Sequence, residues 1–100
     1  MKYLAYFIFL TFLIADPSDK MAKASAAMKA GMYKEALKHL EDIEITDSSN
    51  PEIYRLQALL HEALNEDEKA IIAWKNCLKY SMDESLSSEA KIHIQSLSPD

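Results

Sequence analysis

The sequence predicts an all-α fold of antiparallel helical hairpins stacked side by side. The first observation behind this is a pattern that recurs at an offset of 34 residues. Ala36, Leu37, Leu40 and Ile43 return as Ala70, Ile71, Trp74 and Cys77, while Ala24 returns as Ala58 and Gly31 as Asn65. A period of that length, holding two helical patterns, marks a helical-hairpin repeat. The second is composition. One Gly and three Pro in 100 residues, with abundant Ala, Leu, Lys, Glu and Met, favour helices and argue against a β-rich fold.

The chain opens with a segment of another kind. Lys2 precedes YLAYFIFLTFLIA, apolar except for Thr11, and Asp16-Pro17 ends the run. A charged start, an apolar core and a small residue before a polar breaker describe a secretory signal peptide over residues 1–15. Ala15 is the residue before the cut. Leu13, two before it, is larger than such sites prefer. The run is short for a membrane span, which needs about 20 residues. An uncleaved anchor in a locally thinned bilayer is the second reading, and a buried helix of the mature fold the third. The first two place residues 16–100 across a membrane, periplasmic, secreted or tethered to its surface.

About 85 residues then form one small domain with a small core. The first helix starts near Ser18 and carries Met21, Ala24, Ala27 and Met28 at helical spacing. Ala22, Ala26 and Ala30 keep its other faces thin, and Gly31 ends it. The second runs from about Met32 to Ile45, with Tyr33, Ala36, Leu37, Leu40 and Ile43 on one stripe. Glu41, Asp42 and Glu44 crowd its C-terminal end, against the helix dipole. Asn50 is a good N-cap and Pro51 suits the first position of a third helix, about 51–64. That helix is apolar around most of its girth and should sit between neighbours. The fourth, about 66–80, carries Ala70, Ile71, Trp74, Cys77 and Leu78. Ser81 to Glu84 has the spacing of a capping box. A fifth helix over 84–97 shows one apolar face, Leu86, Ala90, Ile94 and Leu97, and one polar face, as a terminal cap would.

Charge and residue types exclude several chemistries. The net charge is −5, and −6 once Lys2 leaves with the leader. Nucleic acid needs a concentrated basic surface, which this balance does not supply. The charges are segregated, with five Lys and one Glu in residues 20–38, and nine acidic groups beside Arg55 in residues 41–68. This reads as solvated helix faces or as a dipole that orients on a charged partner. Cys77 is alone, so no internal disulfide forms. His39, His61 and His93 stand apart from one another and from any metal-ligand spacing, and no metal is expected. Cys77 and Trp74 fall on the core stripe, which argues against a nucleophile and a ligand platform. A single Gly rules out a phosphate-cradling loop. Neither catalysis nor a cofactor is expected.

Gly31-Met32-Tyr33-Lys34-Glu35-Ala36-Leu37, answered by Asn65-Glu66-Asp67-Glu68-Lys69-Ala70-Ile71, resembles the inter-helix turn of the tetratricopeptide repeats. Tyr54, four before Ala58, matches the aromatic that opens a repeat of that family. Lys20, Gln57 and Asp47-Ser48 depart from its pattern. Over about residues 17–81 the resemblance implies a short right-handed superhelix of two repeats plus a capping helix. It also implies a concave groove lined by the first helix of each pair. Carried over, that groove presents Met21, Ser25 and Met28, then Arg55, Leu59 and Glu62, with Glu89 and His93 extending it. The Lys and Asn clamp by which some members grip a peptide C-terminus is absent, because Met21, Ser25 and Leu59 stand in its place.

The function that follows is a non-catalytic, exported interaction module or scaffold that binds a peptide or helix of an envelope partner. The alternative is a structural subunit that self-associates, since two repeats fall short of the usual three.

Overall fold

The computed structural model describes residues 17–99; the leader and anchor readings fall on residues 1–15, outside them. Five helices make up the described fold: α1 Pro17–Lys29, α2 Tyr33–Thr46, α3 Pro51–Ala63, α4 Asp67–Tyr80 and α5 Glu84–Leu97. Among the described residues there is no strand, so the fold is all-α as predicted. Short connections fold each helix against its predecessor, with α3–α4 the most extensive interface and α2–α3 the thinnest.

The two hairpin turns are the same turn. Gly31 closes α1 with φ 79°, and Asn65 closes α3 with φ 59°. After each, the next amide reaches back five residues: Met32 N–H to the Ala27 carbonyl at 2.9 Å, and Glu66 N–H to the His61 carbonyl at 2.8 Å. This left-handed residue with a six-to-one bond satisfies carbonyls that the helix end would strand. The positive φ explains Gly and Asn at this place, the residues that tolerate it best.

The alanines of the repeat lie at the helix contacts. Ala24, Ala36, Ala58 and Ala70 are all fully buried, as are Leu40, Trp74 and Cys77. Two clusters share α3. One holds Ala24, Ala27, Ala36, Leu40, Ile53 and Leu60, from α1 to α3. The other holds Tyr54, Ala58, Ala70, Trp74, Cys77 and Ala90, from α3 to α5. Ile53 and Leu60 face one way and Tyr54 and Ala58 the other, which accounts for α3 being apolar around most of its girth.

Two expectations at helix ends are refined. Asn50 caps α3 by accepting from the Glu52 amide, with Pro51 following as the pattern requires. The cap of α5 is Asp83, which accepts from the Ser85 amide, and not Ser81. Ser81 Oγ instead bonds Ser87 Oγ at 2.9 Å and braces the loop. The acidic end of α2 also finds a use. Glu44 accepts from Nε2 of the buried Gln57 at 2.8 Å, satisfying the one buried polar side chain of α3.

Candidate partner-binding face

Arg55, Leu59 and Glu62 are spaced i, i+4 and i+7 on α3 and share one of its faces. The structure brings them against α5. Arg55 Nε donates to Glu89 Oε1 at 2.9 Å and its second nitrogen to Glu52 Oε1 at 3.1 Å. The Glu89 bond holds the guanidinium pKa above its ordinary value, outweighing the opposing effect of burial. Leu59 packs against the Tyr54–Trp74 cluster and is half-buried.

Glu62 is the centre of a polar knot. Its Oε2 accepts from Trp74 Nε1 at 2.6 Å and contacts His93 Nδ1 at 2.8 Å. The His93 ring also stacks on Trp74, with ring centroids 4.3 Å apart. One carboxylate thereby ties α3, α4 and α5 together. Trp74 keeps its full apolar burial and still satisfies its only donor. Tyr54 stacks on Tyr80 at 5.7 Å nearby and donates to the Ser48 carbonyl. Burial, then the Glu44 charge, raises the Tyr54 pKa.

Met21 and Met28 from α1 are half-buried in the other cluster, against Ala24 and Leu40, and Ser25 is half-buried beside them. Arg55, Leu59 and Glu62 belong with Glu89 and His93, whereas the α1 residues belong with the N-terminal cluster.

Sequence reasoning overlooked two features of the polar face and one cavity elsewhere. The bond from Trp74 to Glu62 is hidden in the sequence because Trp74 stands on an apolar stripe and its N–H leaves no mark on the pattern. Arg55 and Glu89 are separated by 34 residues, one full repeat, so the period itself was the available signal. The cavity, about 510 Å³, opens between α2, the end of α3 and the start of α4. Lys34, Lys38, Lys69 and His61 lie on its walls.

Among the described residues no group of three or more His, Cys, Asp or Glu side chains converges as metal ligands. Burial, then the charges of Glu52 and Glu89, push the Cys77 thiol up to about 11, leaving little thiolate at neutral pH. No described helix is long and apolar enough to cross a membrane. Set against known proteins, the chain matches no family model, no curated protein and no solved structure.

Proposed function

We propose that the chain is a non-catalytic, exported interaction module of the tetratricopeptide-like kind, which binds a peptide or helix of an envelope partner. The observation that supports this most is the repeated hairpin turn, Gly31 and Asn65 with the same backbone bonds one period apart. A repeat stack exists to present a surface, and its individual helices carry no concentrated chemistry. The protonated, buried Cys77 thiol agrees with a non-enzymatic role.

The strip of α3 and α5 is the contact face in this reading. Its floor is Leu59, and its rim holds the Arg55–Glu89 and Glu62–His93 pairs. Apolar groups at a patch centre dominate binding, while rim charges set orientation. Leu59→Ala should therefore weaken capture of an envelope partner by more than about tenfold, or 1.4 kcal/mol. Capture from the envelope fraction of the source, compared with circular dichroism of the same variant, tests this. Unchanged capture by a folded Leu59→Ala protein moves the contact away from this strip.

The alternative is a structural subunit that completes its stack by self-association. The observation favouring it is α5, the last of the described helices, on which Ile92 is 65% exposed. Melting temperatures that rise with protein concentration would select it.

A further inference from the structure

The cavity lies away from the α3–α5 strip. Lys34, Leu37 and Lys38 share one face of α2, at spacings i, i+3 and i+4, and form its first wall. The facing wall is His61 and Leu64 from the end of α3, with Glu66 and Lys69 from the turn into α4. About 510 Å³ falls within the range of roughly 300–1,000 Å³ usual for ligand sites.

The charges around it are not equivalent. Glu66 is engaged internally, with one oxygen 3.0 Å from His61 Nδ1 and the other 3.6 Å from Lys69 Nζ. Among the described residues Lys34 and Lys38 enter no ion pair, although they stand side by side on a chain of net charge −5. Two like charges one helical turn apart repel, and an anion between them would reverse that. Glu41 and Glu66 on the same walls oppose a polyanion, which weighs against nucleic acid and polyphosphate. A single carboxylate meets less of that repulsion than a polyanion does. Leu37, Leu64 and the lysine stems offer apolar surface next to it.

We propose that this cavity is a docking site for an acidic segment of a partner peptide, in which one Glu or Asp side chain bridges Lys34 and Lys38 and an aliphatic neighbour packs on Leu37 and Leu64. The proposal rests on the reading of the chain as a peptide-binding module, and adds the partner's chemistry and a second point of contact.

The probe is the peptide acetyl-Ala-Leu-Glu-Leu-Ala-amide, titrated into the ¹⁵N-labelled full chain at low salt and followed by amide shifts. Two reference ligands accompany it: the same peptide with Gln for Glu, and hexanoate. The Glu peptide should shift the amides of Lys34, Leu37, Lys38 and Leu64 together, with an affinity that falls as salt is added. The Gln peptide should bind at least about fivefold more weakly. Lys34→Gln/Lys38→Gln should lose at least about fivefold in affinity for the Glu peptide. Lys75→Gln/Lys91→Gln, with the same net charge and both changes at exposed positions outside the cavity, should bind it unchanged. Absent shifts, equal binding of the Gln peptide, or an unaffected Lys34/Lys38 variant would each overturn the site. Hexanoate binding as tightly as the peptide would overturn the peptide as occupant. Failure here with capture still lost in Leu59→Ala would remove the second site alone; failure of both would remove the module reading.

Discussion

The two halves of this molecule solve one packing problem by different means. The N-terminal cluster closes α1 on α2 with small side chains, Ala24, Ala27 and Ala36 around Leu40. None of the hydrogen bonds between described side chains joins those two helices. The C-terminal cluster places Trp74 at the position of Leu40, one period on, and surrounds it with polar contacts to Glu62 and His93. A larger side chain fills more volume but brings an N–H that must be satisfied, so a carboxylate and an imidazole follow from it. Apolar packing tolerates many arrangements of about the right volume, whereas a bonded indole specifies one.

Removing the two central side chains is the largest break in this comparison. Trp74→Ala should cost about 3–5 kcal/mol and Leu40→Ala about 2–5 kcal/mol. Domains of this size hold roughly 5–15 kcal/mol in total. Urea midpoints of the two variants should place Trp74→Ala lower, because it also removes the bond to Glu62 and the stack on His93. The reverse order would mean that the polar knot adds nothing to the α3–α5 half.

Next come changes aimed at each mechanism separately. Glu62→Ala leaves the Trp74 N–H unpaired in a buried setting, at a cost of about 1–3 kcal/mol. His93→Ala should then cost less in that variant than in the native chain, with a coupling above about 0.5 kcal/mol. Additive costs would show that the knot is two independent contacts. The N-terminal half should break by size instead, and Ala36→Leu should overpack the α1–α2 contact by about 1–3 kcal/mol.

Which parts were legible in the sequence follows from the same contrast. Helix extents were readable because the apolar stripe and the Asn50-Pro51 start are local signals. The buried alanines were readable through the period. The role of Glu44 was not, because its bond to Gln57 crosses the α2–α3 connection and sequence spacing does not fix that angle. Ser81 and Asp83 both offer cap oxygens two residues apart, and only the backbone path decides between them. The basic cavity was invisible because Lys34 and Lys38 read as solvated until the turn at 61–69 is folded over against them. Arg55, Leu59 and Glu62 were placed on one face by helical spacing, but their engagement with α5 came from packing.

The turns offer a smaller test. At Gly31 an added Cβ would meet nothing within 4 Å, so Gly31→Ala pays only for a left-handed backbone. The cost should be about 1 kcal/mol in the denaturation midpoint. Gly31→Asn should cost less, since Asn65 already holds the equivalent place at φ 59°. Equal losses for Ala and Asn would mean that the two turns are not interchangeable.

The smallest expected effect separates the turns by charge. The positions following Gly31 and Asn65 are Met32 and Glu66, and only the second makes an ionic clip, with His61 and Lys69. The His61 bond lowers the Glu66 pKa below its ordinary 4.5; burial opposes it as the next-largest effect, and the Lys69 charge adds a smaller lowering. A carboxyl lowered in the folded state stabilises the fold above its unfolded pKa, and loses that contribution as pH falls through the folded value. The clip should therefore contribute in full near neutrality, and that contribution should be lost only on the acid side of about pH 4.5. Carbon-detected titration of the Glu66 carboxyl should give a pKa that climbs toward the ordinary value in His61→Ala. The Lys69→Ala variant should move it the same way by less, since Lys69 is more exposed and farther off. A Glu66 pKa insensitive to His61 would mean that the clip does not persist in solution, leaving the second turn held by its backbone bonds alone, as the first is.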